Sequence, residues 1–398
     1  MQLQGVWRNL ALVLTAAAVL AACGAAAPSA EQLQVRREEA DCMAGILGAC
    51  GLLGHRYEGG QGVPSDPIKA VLLYEEGCRT GDQPTCGRLG RMLRLGLGVQ
   101  RDEVRAADLL SVACRGGDMP SCVQWGAMHE IGQGVPENTG LALRLYKSAC
   151  DEKDPAGCSY LGSLFADGRE VLQDLTKAAE LFSFSCSSGY GPACAHLGNL
   201  FESGRGAPRD MGRAKALYEQ GCKLGAGSGC LLLGLVHHKG LGTPISDAKA
   251  LALFEQSCDL GHATGCSYAV RLLEGGGELA ANPRRQREFR LKGCLYGQGT
   301  LCHELADACV QDPKAAAAAP CDGQQVWRWL LRGCASGHTF CCVKCGQLYE
   351  QGGQVAGHQV ASDRDYARRS YKRACKLGDA MGCKLERGMP LLDPAEKR

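Results

Sequence analysis

The stretch Cys78-Arg-Thr-Gly-Asp-Gln-Pro-Thr-Cys86 sets the frame of this 398-residue chain. Its two cysteines flank a polar, turn-forming segment of seven residues. The same C-x7-C spacing returns nine more times, and from Cys42 to Cys294 the first cysteine recurs every 36 residues. The last two steps are 40 and 41 residues. A fixed period of this length predicts a repeat array built by stacking similar units.

Composition limits the class of protein. The chain is 22% charged with a formal net charge of +2, which gives no reason to expect a nucleic-acid partner. Its 25 cysteines favour an oxidising compartment, where disulfides persist. Zinc is the alternative, but zinc sites favour cysteines separated by two to four residues. We therefore predict ten local disulfides: Cys42–Cys50, Cys78–Cys86, Cys114–Cys122, Cys150–Cys158, Cys186–Cys194, Cys222–Cys230, Cys258–Cys266, Cys294–Cys302, Cys334–Cys342 and Cys375–Cys383.

The N-terminus has the features of an export signal. Leu10–Leu20 is an apolar run too short to span a bilayer, which needs about 20 residues. Leu20-Ala-Ala-Cys23 follows it and resembles the bacterial lipobox, whose cysteine becomes the lipidated first residue of the mature protein. An ordinary signal peptide is the alternative. We predict a signal peptide over 1–22, lipidation of Cys23, a tether over 23–30, a solenoid over 31–388 and a tail over 389–398. This makes the protein an exported bacterial lipoprotein of the outer membrane, on its periplasmic or surface face.

Each repeat carries two helical patterns. Counted from the second cysteine, Leu recurs at +3, Gly at +4 and a large side chain at +7, as in Leu53, Gly54 and Tyr57. Counted back from the next first cysteine, Ala recurs at −8, Leu at −5 and an aromatic residue at −4. Both spacings place apolar residues on one helix face, so these positions are core. Between them, Asp66 and Pro67 predict the capped start of the second helix.

The unit resembles the Sel-one-like repeat (SLR) family, relatives of the tetratricopeptide repeat. The matching motifs are L-G-x-x-Y at Leu53–Tyr57, G-x-G-V-x-x-D at Gly60–Asp66 and K-A-x-x-x-Y-x-x-x-C at Lys69–Cys78. The resemblance covers residues 31–388 and implies an all-α fold. It implies an α/α solenoid, a tetratricopeptide-like right-handed superhelix of about nine disulfide-stapled helix pairs. The cysteine pairs resemble a secreted bacterial subfamily of SLR proteins described as β-lactamase-like.

The pattern becomes irregular between residues 270 and 345, where four extra cysteines appear. These are Cys309, Cys321, Cys341 and Cys345, and they allow three pairings. We predict Cys309–Cys321 and Cys341–Cys345. The Cys342-x2-Cys345 spacing also permits a metal or redox site, but no thioredoxin-like sequence surrounds it.

Catalytic motifs are weak. Ser246-Asp-Ala-Lys249 matches the S-x-x-K nucleophile motif of penicillin-recognising enzymes, but the sequence has no K-T-G or S-D-N. The position is also where every repeat begins its second helix, so we interpret the match as chance. No catalytic residue, cofactor or metal site is predicted, and whether the protein is an enzyme stays open, with a β-lactamase-like hydrolase of β-lactams or cell-wall fragments as the alternative. A bare structural spacer is a third possibility.

Our main hypothesis is a binding scaffold whose partner is a protein or peptide. Tetratricopeptide geometry would put the first helix of each repeat on the concave side, with positions +1, +5 and +8 facing outward. Those positions vary between repeats and carry charges of both signs, which indicates a peptide of mixed charge. The predicted binding face consists of His55, Arg91, Arg94, Glu130, Asn199, Glu202, His238, Arg271, Glu274, Asp307 and Gln347.

Overall fold

Helices form nearly all of the regular structure in the computed structural model, which describes residues 29–275, 282–311 and 322–389. The chain divides between Gln173 and Asp174 into two compact units. The helices of the first unit are α1 Ala30–Met43, α2 Ala49–Gly59, α3 Pro67–Arg79, α4 Gln83–Leu95, α5 Glu103–Arg115, α6 Met119–Ile131, α7 Thr139–Asp151 and α8 Pro155–Asp167. Those of the second unit are α9 Leu175–Ser187, α10 Gly191–Ser203, α11 Met211–Lys223, α12 Gly227–Lys239, α13 Asp247–Asp259, α14 Ala263–Glu274, α15 Pro283–Leu295, α16 Gly299–Gln311, α17 Gly323–Ala335, α18 Thr339–Gln351, α19 Arg364–Lys376 and α20 Ala380–Gly388. Within each unit, consecutive helices pack against one another, and the predicted α/α solenoid class is confirmed.

Local sequence explains where the second helices begin. Asp66 caps α3 by accepting hydrogen bonds from the backbone N–H groups of Ile68 and Lys69 at 3.1 and 3.0 Å, and Pro67 follows it as predicted. A side-chain oxygen at the same register caps the other second helices from α5 to α19; these residues are Asp102, Asn138, Asp174, Asp210, Ser246, Asn282, Asp322 and Asp363. Such caps satisfy N–H groups that the helix itself cannot.

The glycine at +4 lets the two helices of a repeat approach closely. A Cβ atom added to Gly54, Gly126 or Gly234 would lie 2.6–2.7 Å from the aromatic ring at −4 of the same repeat. Real Cβ atoms do not make such contacts, so a side chain at +4 would not fit. The aromatic ring at −4 covers the glycine. The alanines at −8 from Ala70 to Ala250 are fully buried, so this position of the second helix is core.

All ten predicted C-x7-C disulfides are present. Each joins the end of one helix to the start of the next, with Cα atoms 4.4–4.7 Å apart. That separation lies within the range that a disulfide requires. The ten bonds point to an oxidising environment outside the cytoplasm.

The predicted Cys341–Cys345 disulfide is wrong. Both residues are buried free thiols in α18. Residues four apart on a helix have Cβ atoms about 5–6 Å apart, whereas a disulfide needs about 3.5–4.5 Å. Cys309 is disulfide-bonded, but its predicted partner Cys321 lies outside the described residues, so that pairing stays a prediction.

One element was not predicted. Strands β1 Gly353–Val355 and β2 His358–Val360 form an antiparallel hairpin between α18 and α19. Ala356 and Gly357 form its two-residue turn with φ of 47° and 82°, a conformation typical of tight hairpins. Val355 and Val360 are buried, and the hairpin packs against α17 and α18. It accommodates the extra residues of the 41-residue step.

The predicted signal peptide, Cys23 and most of the tether lie outside the described residues, as does the tail beyond Met389. Within the part of the chain that the structure describes, no helix is long and apolar enough to cross a membrane.

Candidate binding surface

A hydrogen bond between tyrosine and glutamate recurs at the C-terminal end of the first helices. The hydroxyl groups of Tyr74, Tyr146, Tyr218 and Tyr371 at −4 donate to carboxylates at +8 of the same repeat. The acceptors are Glu58, Glu130, Glu202 and Glu350, at O–O distances of 2.6–2.8 Å. Burial, together with the neighbouring carboxylate, raises the pKa of all four tyrosines. Their hydroxyl groups therefore remain protonated donors.

The residues at −4 and +8 correspond in several other repeats, although Arg94 at +8 stands with Leu110 at −4. Where −4 is Arg290, the +8 residue Glu274 forms an ion pair with it. Where −4 is Leu330, the +8 residue is Val310, and where −4 is Phe182, the +8 residue is Ala166. The carboxylates of the predicted face at +8 are thus directed toward their own repeat, and they are only partly available to a partner.

Two of these carboxylates also bind arginines of later repeats. Arg91 forms an ion pair with Glu58, and Arg169 forms one with Glu130 at 2.7 Å. Burial opposes ionisation of Glu58, but the hydrogen bond from Tyr74 and the charge of Arg91 outweigh it, so the pKa of Glu58 is lowered.

The remaining residues of the predicted face differ in exposure. His55 is exposed and lies 3.1 Å from a guanidinium nitrogen of Arg88. Arg94 is half-buried, its Nε has no partner among the described residues, and burial lowers its pKa. Asn199 is exposed, and its Oδ1 atom lies 2.8 Å from the Tyr218 hydroxyl oxygen. At the same register, Asp307 is exposed and Gln347 is half-buried.

A cleft of about 740 Å³ opens where the tyrosine–glutamate contact is missing. Phe254 occupies −4 there and has no hydroxyl group, and His238 occupies +8. The His238 Nδ1 atom instead lies 2.7 Å from the Asp247 carboxylate at the start of α13. The space beside the Phe254 ring is open. We call this opening the His238 cleft; it lies between the C-terminal ends of α12 and α14 and the start of α13.

The His238 cleft combines charge with apolar surface. Arg271 projects from α14 with its guanidinium carbon 5.7 Å from the centre of the Tyr268 ring, which itself packs on Phe254 with ring centres 5.1 Å apart. Ile245 and Leu272 complete the apolar lining. Two residues of the predicted face, His238 and Arg271, therefore meet at one cleft.

Ser246 lies in the same cleft, but its hydroxyl group has a structural partner. It accepts a hydrogen bond from the Lys249 backbone N–H at 3.4 Å and caps α13. Within residues 29–275, 282–311 and 322–389, no group of three or more histidine, cysteine or acidic residues could hold a metal ion.

The sequence analysis missed Glu58, Glu350 and the four tyrosine hydroxyl groups, because it treated −4 only as core. The signal was present in the chain: all four repeats with Tyr at −4 have Glu at +8.

Comparison with known proteins agrees with the repeat boundaries. A family model described as Sel1 repeat matches residues 48–82, 85–118, 120–154, 155–190, 191–225, 227–262 and 339–379. No functionally curated protein shows a significant match to the sequence.

Solved structures resemble the chain in fold. One is c5321, a protective antigen present in uropathogenic Escherichia coli strains displaying an SLR fold, with 22% identity, a TM-score of 0.41 and coverage of 88% of this chain and 81% of that one. Another is a Sel1 repeat protein from Oxalobacter formigenes, with 21% identity, a TM-score of 0.47 and coverage of 60% and 96%. These values speak to fold alone. With seven matched repeats that cover more than half of its length, the chain belongs to the Sel1 repeat family.

Proposed function

We propose that this protein is a membrane-anchored scaffold of the cell envelope that binds a peptide segment of a partner protein along its first helices. Sel1 repeat proteins generally act by binding protein partners. The observation that carries the proposal for this chain is the His238 cleft, where His238, Asp247 and Arg271 surround an apolar base. Pockets of this size with a few convergent polar groups are the usual form of binding sites.

The charges of the cleft indicate the ligand. Asp247 and Arg271 have opposite signs and lie on different helices, α13 and α14. An extended peptide with one acidic and one basic side chain, separated by an apolar residue, would complement both. This is consistent with the mixed charges expected for the whole face.

The repeats themselves supply a variant that closes the cleft. Phe254→Tyr with His238→Glu installs the tyrosine–glutamate pair that four other repeats carry, so we expect the fold to be retained. Cross-linking and pull-down from membranes, with wild type and this variant in parallel, should recover a partner with wild type alone. Equal recovery would show that the cleft is not the binding site.

Anchoring through Cys23 is part of the same proposal. The Leu20–Cys23 motif and the oxidising environment that the disulfides require support export and lipidation. Stable anchoring needs more than one acyl chain, which a lipidated N-terminal cysteine would supply. Cys23→Ser should therefore move the protein from the membrane fraction to the soluble periplasmic fraction, and unchanged membrane association would contradict lipid anchoring.

The β-lactamase-like alternative has less support. It depends on the resemblance to the secreted SLR subfamily described as β-lactamase-like and on Ser246, whose hydroxyl group caps α13. Hydrolysis of nitrocefin by purified protein, abolished by Ser246→Ala, would favour it over the scaffold.

A further inference from the structure

A second cleft lies between the second helices α17 and α19, separate from the first-helix surface proposed above. Its volume is about 490 Å³. Leu331, Cys334 and Ala335 of α17 line it together with Cys345 of α18 and Tyr366 of α19. We call it the basic cleft, because four cationic side chains of α19 complete its lining: Arg369, Lys372, Arg373 and Lys376.

Two small residues explain why the cleft is open. At −5, the eight preceding repeats carry leucine six times, then Phe289 and Trp329, whereas the last repeat carries Ser370. At +3, where leucine is usual, it carries Cys345. Both small residues line the basic cleft. Volume that is filled by a large apolar side chain in other repeats is therefore available here to a side chain from another molecule.

Among the described residues, the cationic side chains of the basic cleft have no acidic partner. No carboxylate lines the basic cleft. Arg373 donates a hydrogen bond to the Ala335 carbonyl oxygen at 2.6 Å, which fixes it at the cleft edge. Lys372 and Lys376 have no ion pair with any residue of the described chain. Eleven Lys and Arg residues face six Asp and Glu residues over 322–389, while the whole chain has a net charge of only +2.

We propose that the basic cleft binds an acidic peptide segment of a partner protein. One bulky apolar side chain of the peptide occupies the space beside Ser370 and Cys345, and flanking carboxylates pair with Lys372 and Lys376. The charges steer the encounter and set the specificity, and the apolar side chain supplies the hydrophobic contact.

The arrangement fits a peptide better than a lipid surface. The apolar lining belongs to a cleft in which Cys345 is completely buried and Leu331 and Tyr366 are 37% and 49% exposed. A cleft can enclose one side chain of a peptide, whereas a protein that lies on a bilayer inserts protruding apolar side chains below the headgroups.

The test uses full-length protein and a short fluorescent peptide with a central leucine flanked by glutamates, measured by fluorescence anisotropy. Ser370→Leu restores the leucine of the other repeats, so it should fold normally and weaken binding at least about tenfold. Lys372→Glu with Lys376→Glu should weaken it by a similar factor, and the remaining binding should depend less on salt. The matched control, Lys384→Glu with Arg387→Glu, makes the same charge change on α20, outside the cleft, and should bind like wild type.

Three results of the anisotropy assay would overturn the proposal. They are the absence of saturable peptide binding by wild type, equal binding by the Ser370→Leu protein, and an equal loss in the α20 control. Binding to phosphatidylglycerol vesicles in place of the peptide, lost in the Lys372→Glu, Lys376→Glu protein, would assign the cleft to a lipid surface and also overturn it. A peptide with alanine for the central leucine should bind more weakly than the parent peptide. Equal affinity would show that the leucine side chain does not contact the basic cleft.

Discussion

The hydroxyl group of Tyr371 donates a hydrogen bond to the carboxylate of Glu350 at 2.7 Å, joining the two helices of the last repeat. Three other repeats have the same contact at the same register. The Tyr371 ring is fully buried and covers Gly346. The hydrogen bond from its hydroxyl group therefore joins the buried core of the repeat to a carboxylate at the surface. Where the pair is replaced by Phe254 and His238, the His238 cleft lies beside the ring.

The Tyr371–Glu350 contact should contribute measurably to stability. Tyr371→Phe removes one intramolecular hydrogen bond and should lower the free energy of unfolding by about 1 kcal/mol. Glu350→Ala should cost a similar amount or more, because it leaves a tyrosine hydroxyl group without its partner. In the double variant the loss should be clearly smaller than the sum, as measured by urea unfolding with the disulfides intact. Additive losses would mean that the two side chains do not interact.

Glu58 should make stability depend on acidic pH. Its folded-state pKa lies below the usual value of 4.5. A carboxylate of this kind stabilises the fold above its unfolded-state pKa, and the contribution disappears as pH falls through the folded-state pKa. Glu58→Gln should therefore be less stable than wild type at about pH 7, and the difference should be smaller at about pH 3. The measurement is urea unfolding at both values, and an unchanged difference would contradict the assignment.

The two buried free thiols of α18 should be unreactive in the native protein. Burial raises the pKa of Cys341 and of Cys345 to about 12, so the reactive thiolate is scarce at neutral pH. Iodoacetamide should label both only after denaturation, with the twenty cysteines of the ten local disulfides still protected. Mass spectrometry of the labelled peptides provides the readout. A Cys341–Cys345 bond, or rapid labelling of native protein, would disagree with the structure.

Each local disulfide should stabilise its junction by a similar amount. The Cys222–Cys230 bond closes a loop of nine residues, for which chain entropy gives about 2–3 kcal/mol. Replacing both cysteines with alanine should lower the unfolding free energy by about this amount and leave the helical circular dichroism signal intact at low temperature. A loss of under about 0.5 kcal/mol would mean that the unfolded chain gains little freedom when the bond is removed.

The sequence alone was sufficient for the parts of the fold that recur. The cysteine pairs, the cap at Asp66 and the glycine at +4 each appear in many repeats, and repetition separates a structural requirement from chance. The hairpin at 353–360 occurs once in a glycine-rich connection, so no second copy revealed its pairing. Cys341 and Cys345 have the spacing of one helix face, which suggests proximity but does not meet the geometry of a disulfide.

The candidate site was only partly predictable for a related reason. His238 and Arg271 were identified by their register, but the cleft between them lies where the tyrosine–glutamate contact is absent. Recognising it required reading −4 and +8 together, because Phe254 lacks the hydroxyl group that four tyrosines provide. The basic cleft likewise depends on Ser370, which is smaller than the apolar residue at −5 of the other repeats. The sequence shows the smaller side chain, but only the structure shows that the space beside it is open.

Calorimetric titration of the partner against matched variants shows whether the His238 cleft binds a partner peptide. The control is Arg213→Glu, since Arg213 also lies over an aromatic ring, Phe201, with its guanidinium carbon 5.6 Å from the ring centre. We expect Arg271→Glu and the cleft-closing His238→Glu, Phe254→Tyr variant to weaken binding at least about tenfold, about 1.4 kcal/mol, and Arg213→Glu to leave it unchanged. Wild-type affinity in both cleft variants would show that the His238 cleft does not bind the partner.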